Sequence, residues 1–234
     1  MQPSALNFQQ PSPIDAVIFD MDGVLIDSEP LWRVAETLAM NAIGVPMREE
    51  DGLLTMGLRT DEVVEFWFAR HPWRTPSKKE VEAAIVREVI TLIEQHGSAM
   101  PGAVELVAEL SATGMKLGLA SSSATEIIEA VLGKLGMAGS FAVVQSAEHE
   151  PYGKPHPAVY IECARRLGVP PDRCLAIEDS PAGVLAAKAA RMRCIAIPAP
   201  ELQDDNRYCI ADERLRSLTE LIGAARLQGL RVEG

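Results

Sequence analysis

The sequence predicts an α/β fold: a Rossmann-like parallel sheet with helices on both faces, plus a small all-helical cap inserted after the first strand. Three observations carry this. From residue 116 to 197, short apolar runs alternate with helical periodicities, the pattern of βαβ units and a parallel sheet. One further apolar run, at 16–19, stands far ahead of the others and ends on two carboxylates and a glycine. Between the two, residues 30–97 carry helical spacing throughout and no strand.

Taken in order, the first 13 residues are polar and rich in Gln and Pro. They lack the basic start and apolar segment of a signal peptide and read as a loose leader. Ala16-Val17-Ile18-Phe19 reads as a buried strand, and its end delivers Asp20 and Asp22 to the mouth of the sheet, where open α/β sheets bind ligands. Alternate residues of an extended chain point the same way, so the two carboxylates converge; they repel unless a cation or a shared proton joins them. Asp27 or Ser28 caps the next helix, with Glu29 and Pro30 in its first turn and Leu31, Val34, Ala35, Leu38 and Ala42 along it. A loop through Gly52 and Gly57 leads to Thr60, the expected N-cap of a helix with Val63, Phe66 and Trp67 on its apolar face. Ser77 and Glu80 have capping-box spacing and open a long helix through Val81, Ile85, Val89 and Ile93 to Gly97. The expected division is a leader at 1–13, a core of 14–27 and 99–234, and a cap at 28–98. In the core, the expected strands are 116–120, 141–145, 174–178 and 193–197, with helices at 125–135, 157–167 and 181–190 between them.

Composition sets the outer limits. A chain of 234 residues is long enough for one large domain or a core with an insert. The net charge of −11 argues against a nucleic-acid partner or an anionic membrane surface, and no run has transmembrane length. Cys163, Cys174, Cys194 and Cys209 show no metal or redox spacing, as in a reducing cytoplasm. So acidic a chain must attract any anionic substrate with local positive charge.

The other strand ends supply it. Ala120-Ser121-Ser122-Ser123 precedes a helix, and a hydroxyl beside free backbone N–H groups makes an anion site, although Ser123 as a plain helix cap explains part of this. Lys154 stands in a proline-flanked loop, where a solvated surface lysine is the ordinary expectation. Glu178-Asp179 forms a second acidic pair at a strand end, and Asp179 or Ser180 before Pro181 also suits a helix start. Four ends of one parallel sheet share an edge, so these residues assemble. Hard carboxylate oxygens with phosphate suit Mg²⁺, and Asp can accept a phosphoryl group.

In this order, DxDG after a strand, a strand-end Ser, Lys154 and Glu178-Asp179 resemble the four motifs of the haloacid dehalogenase superfamily. The resemblance runs from about Pro13 to the end. It is close at residues 19–32, 154–157 and 189–193, which are similar to the sugar-phosphate phosphatases of the β-phosphoglucomutase-like subfamily. It implies Asp20 as the nucleophile that forms an aspartyl phosphate, and Asp22 as general acid and then base. It implies Mg²⁺ held by the Asp20 carboxylate, the Asp22 backbone carbonyl and Asp179, with Glu178 binding through water or orienting Lys154. Ser121, the Ser122 N–H and N–H groups near Met21 and Gly23 are implied to hold phosphoryl oxygens, and Lys154 to balance their charge. The implied substrate is a small phosphorylated sugar or polyol, of the hexose or hexitol 6-phosphate kind, handled by a cytoplasmic monomer.

The core motifs recognise only phosphate and metal, so the choice of alcohol falls to the cap. Glu29, Trp32 and Gly57-Leu58-Arg59 are the residues placed to make it. Trp32 packing inside the cap, and Arg59 pairing with Asp61 or Glu62, are the blander roles for the same side chains. Two other functions use this framework. A phosphomutase is disfavoured by Ala124, where the mutase has a lysine. A non-catalytic protein is disfavoured by the intact Asp20, Asp22, Lys154 and Asp179.

Overall fold

The computed structural model describes residues 13–223; the expected leader, apart from Pro13, lies outside them. Six parallel strands form one sheet: β1 (Ala16–Phe19), β2 (Lys116–Ser121), β3 (Val143–Ser146), β4 (Cys174–Glu178), β5 (Arg193–Ala196) and β6 (Glu213–Arg214). Their order is β3-β2-β1-β4-β5-β6, the doubly wound Rossmann arrangement. Each is parallel to its neighbours.

Both faces of the sheet are covered, which is why the central β1 is apolar at every position rather than at alternate ones. Val17 and Phe19 of β1 enter one core, shared with α4 (Ala103–Ala112) and α5 (Thr125–Lys134). Ala16 and Ile18 enter the other, against α6 (Ala158–Leu167) and α7 (Pro181–Ala189). Gly118 of β2 is needed on that second face, where a Cβ would stand 2.7 Å from Cys163 Sγ.

Residues between β1 and α4 fold as α1 (Glu29–Ala42), a 3₁₀ segment (Glu49–Leu54), α2 (Thr60–Arg70) and α3 (Lys78–His96). The expected capping box opens α3: Ser77 Oγ accepts the Glu80 N–H, and the Glu80 carboxylate accepts the Ser77 N–H. Val81, Ile85, Val89 and Ile93, four residues apart, are all buried, each contributing roughly 1.5–3 kcal/mol. They join this block to the first core, and α3 packs against α1, α2 and α5. The chain enters and leaves the block side by side: the Asp27 N–H donates to Ser98 O (3.0 Å) and the Met100 N–H to Leu25 O (2.9 Å).

Three details differ from expectation. Thr60 is the first residue of α2 rather than its cap; Arg59 holds that position, its N–H donating to the Glu62 carboxylate. β3 begins at Val143 because Phe141 turns in to meet Phe19 edge-on at 6.0 Å. β6 was not expected, since two residues carry no periodicity. Among the described residues no helix is long and apolar enough to cross a membrane. Cys163, Cys174 and Cys194 are buried free thiols.

Candidate active site

Winding leaves β1 toward β2 on one side and returns to β4 on the other, so the order reverses at β1, the place where such sheets bind ligands. Phe19 is in register with both Leu119 and Ile177. Asp20, one residue on, therefore stands level with Ala120 and Glu178. The Lys154 ammonium lies among them, donating to Asp20 Oδ1 (2.8 Å), Glu178 Oε1 (2.7 Å) and Ala120 O (3.1 Å). Lys154 is 4% exposed, so it is no surface lysine. Burial works against its charge, but Asp20 and Glu178 outweigh it and hold the ammonium above its ordinary pKa.

Glu178 is fully buried and saturated. Its Oε1 accepts Lys154 and the Tyr160 hydroxyl (2.7 Å); its Oε2 accepts the Asp179 and Ser180 N–H groups and Ser180 Oγ. Carboxylate oxygens of Asp20, Glu178 and Asp179 come within 4.8 Å of one another. Burial first, and then repulsion from Glu178, pushes Asp20 up to about 7 despite Lys154. Burial and the Asp20 charge push Asp179 up as well. Hard oxygen donors held apart from their preferred charge state fit a small divalent cation, which lets them ionise together. Asp179 reaches this point across Gly23, whose φ is +70°; a Cβ there would run into Asp179 Oδ2.

Asp22 is clamped by three donors. Its Oδ1 accepts Ser28 Oγ (2.6 Å) and Trp32 Nε1 (3.0 Å), and its Oδ2 accepts Ser123 Oγ (2.7 Å). Ser28 precedes α1 and makes no capping bond, and α5 is capped at Ala124 without a side chain. Both serines thus serve Asp22 in place of a helix end. Ser121 is buried, its Oγ accepting the Ser123 N–H (3.0 Å). Ser122 lines the pocket, and its Oγ is buried without a partner. The Gly23 N–H is committed to Ile26 O (2.9 Å).

A pocket lies between these residues and the helical block. Its floor is Asp20, Asp22, Ser122, Ser123, Lys154 and Asp179; Glu29, Trp32, Gly57 and Leu58 line it from the block. Arg59 does not. Its guanidinium donates across to the carbonyls of Ala147 (3.1 Å) and Glu150 (2.8 Å), and pairs with Asp61 (2.9 Å). The core loop comes close enough here that a Cβ on Gly153 would sit 3.0 Å from Arg59 Cγ. The pocket also holds Arg33, Glu36 and Thr55, which sequence reasoning passed over. The signal was there for two of them, since residues 29, 33 and 36 recur on one helical face.

Paired carboxylates, a buried lysine and a serine loop at the reversal point of a doubly wound parallel sheet define a hydrolase suited to phosphate esters. The chain belongs to the haloacid dehalogenase-like hydrolase family, a sequence model of which matches residues 14–191. It is 49% identical over 212 residues to hexitol phosphatase B of Escherichia coli (strain K12), covering 90% of this chain and 96% of that one. A crystal structure of CbbY from Rhodobacter sphaeroides in complex with phosphate superposes with a TM-score of 0.80 at 30% identity, over 92% of this chain and 99% of that one. A β-phosphoglucomutase from Clostridium difficile has the same fold, with a TM-score of 0.80 at 24% identity, over 93% and 96% of the two chains.

Proposed function

We propose that this chain is a Mg²⁺-dependent phosphatase of small sugar or polyol phosphates, of the hexose or hexitol 6-phosphate kind, acting as a cytoplasmic monomer. The observation that carries the reading is the buried Asp20–Lys154–Glu178 set beside Asp179, opening into a pocket roofed by polar side chains. Its 49% identity to a hexitol phosphatase over 90% of the chain supports the substrate class. In this reading residues 14–27 and 99–234 are the catalytic core and 28–98 the cap.

An Asp20 oxygen attacks phosphorus while the bond from phosphorus to the alcohol oxygen breaks, leaving an aspartyl phosphate. Asp22, as general acid, delivers a proton to the departing alkoxide. It then takes a proton from the water that attacks the aspartyl phosphate, releasing phosphate and restoring Asp20. Lys154 neutralises Asp20 and the phosphoryl oxygens, and Glu178, saturated and buried, orients Lys154. Ser122, the Ser121 loop and backbone N–H groups near Met21 bind the remaining oxygens, since phosphoryl transfer depends mainly on positioning and charge. Mg²⁺ would be held by Asp20, Asp179 and the Asp22 carbonyl, and when bound it supplies positive charge to the transferred group.

The test is phosphate release from a panel of monoesters with Mg²⁺. C5–C6 sugar and polyol phosphates should be the good substrates. Efficient turnover of nucleotides or phosphoglycolate, with all sugar phosphates poor, contradicts the proposal.

A further inference from the structure

The far end of the pocket contains polar groups that the phosphoryl chemistry leaves unused. Glu36, on α1, is 5% exposed. Its Oε2 accepts the Thr55 hydroxyl (3.1 Å), but that hydroxyl stands equally close to Gly52 O (3.1 Å). One proton cannot serve both acceptors fully. That shared hydroxyl is the side-chain donor the described residues bring to the carboxylate. A buried carboxyl so thinly supplied is costly unless something in the pocket completes it. Beside it, Arg33 Nε is buried without a partner. The Arg33 stem is held by Gly52, where a Cβ would come within 2.9 Å of Arg33 Cγ.

We infer that Glu36 and Thr55, with Arg33 beside them, form a hydroxyl-reading subsite that selects a neutral polyol tail on the phosphate ester. This deepens the phosphatase proposal and rests on it. The geometry supplies the reach. Trp32 is bonded to Asp22 at the chemical end, and Glu36 lies one turn further, about 6 Å along the helix axis. An alcohol must be several carbons long to touch both. Charge supplies the selection. From the helical block the pocket receives two acids, Glu29 and Glu36, against one cation, Arg33, so a second phosphate, with both acids ionised, meets more repulsion than attraction. Hydroxyls suit it, because each donates to a carboxylate and accepts from a guanidinium or a protonated acid. Burial holds both acids up to about 7, so the repulsion of a second phosphate is full above that pH, and below it a protonated acid can donate to a hydroxyl oxygen.

The test compares kcat/KM with Mg²⁺ for glucitol 6-phosphate, fructose 1,6-bisphosphate and 4-nitrophenyl phosphate, in the parent and in Glu36→Ala, Thr55→Val and Thr55→Ser. Glu36→Ala and Thr55→Val should lose roughly 10–100-fold more on glucitol 6-phosphate than on the nitrophenyl ester, mostly through KM. Thr55→Ser, which keeps the hydroxyl, should recover most of that loss. The bisphosphate should be poor for the parent and improve relative to glucitol 6-phosphate in Glu36→Ala. Nitrophenyl phosphate turnover in the same preparations reports a folded site. An unaltered ratio between the polyol and nitrophenyl esters in every variant overturns the subsite alone. A parent that cleaves the nitrophenyl ester but no sugar or polyol phosphate overturns the substrate class and the subsite with it.

Discussion

Replacing Glu36 with Gln should stabilise the protein at pH 8 and leave it nearly unchanged at pH 4. Burial is the main cause that raises this carboxyl from 4.5 to about 7, opposed by its bond from Thr55. Because the folded state holds the proton more tightly than the unfolded chain, stability is lost as pH rises from about 4.5 to 7. Above 7 the loss is complete, about 2.5 units at 1.36 kcal/mol each, or on the order of 3 kcal/mol. Gln keeps an oxygen for the Thr55 hydroxyl and sheds the charge. For a chain of this size the gain corresponds to a Tm higher by roughly 6–12 °C at pH 8. Urea unfolding of parent and variant at both pH values, without substrate, measures it. Asp20 titrates in both proteins and cancels in the difference; Glu29, whose charge adds to the rise at Glu36 behind burial, leaves a smaller coupled share in it. An equal stability difference at pH 4 and pH 8, or a parent more stable at pH 8, would refute the reasoning. Together with the loss of polyol turnover, the gain would mark Glu36 as a site where stability is given up for recognition.

Asp20→Asn should abolish phosphate release while the protein stays folded by circular dichroism, because an amide is no nucleophile; near-parent rates would sink the covalent route. Asp22→Ala should slow turnover about 10²–10⁴-fold, measured at saturating substrate. Gly23→Ala should lose both activity and Mg²⁺ binding by calorimetry, since its Cβ would displace Asp179 and its φ of +70° disfavours any side chain. Arg59→Ala should raise KM for all substrates alike, because it removes bonds to Ala147 and Glu150 rather than a pocket wall. A changed ratio of kcat/KM between two sugar phosphates would show Arg59 reaching the ligand after all.

The parallel sheet was legible because buried strands write themselves as apolar runs, and β4 falls at the predicted residues. The acids were legible because each follows such a run directly. Partner choice was not. Trp32 offers a ring and an N–H, and only the approach of Asp22 to α1 commits that N–H. Arg59 shows the same limit: Asp61 and Glu62 are visible neighbours in the chain, but the carbonyls of Ala147 and Glu150 lie 88 and 91 residues away. Glu36 was concealed by its type, since a helix acid is ordinarily solvated, and only its 5% exposure sets it apart. β6 was hidden by brevity.

The bonds between Asp27 and Ser98 and between Met100 and Leu25 fasten the two ends of the helical block together. From the sheet's side, some seventy residues therefore enter and leave as a single tied loop, which α3 fastens a second time by packing against α5. A lineage can exchange or reshape that loop while Asp20, Lys154 and Asp179 stay in place. New substrates can then be tried so long as Ser28 and Trp32, which hold Asp22, are kept.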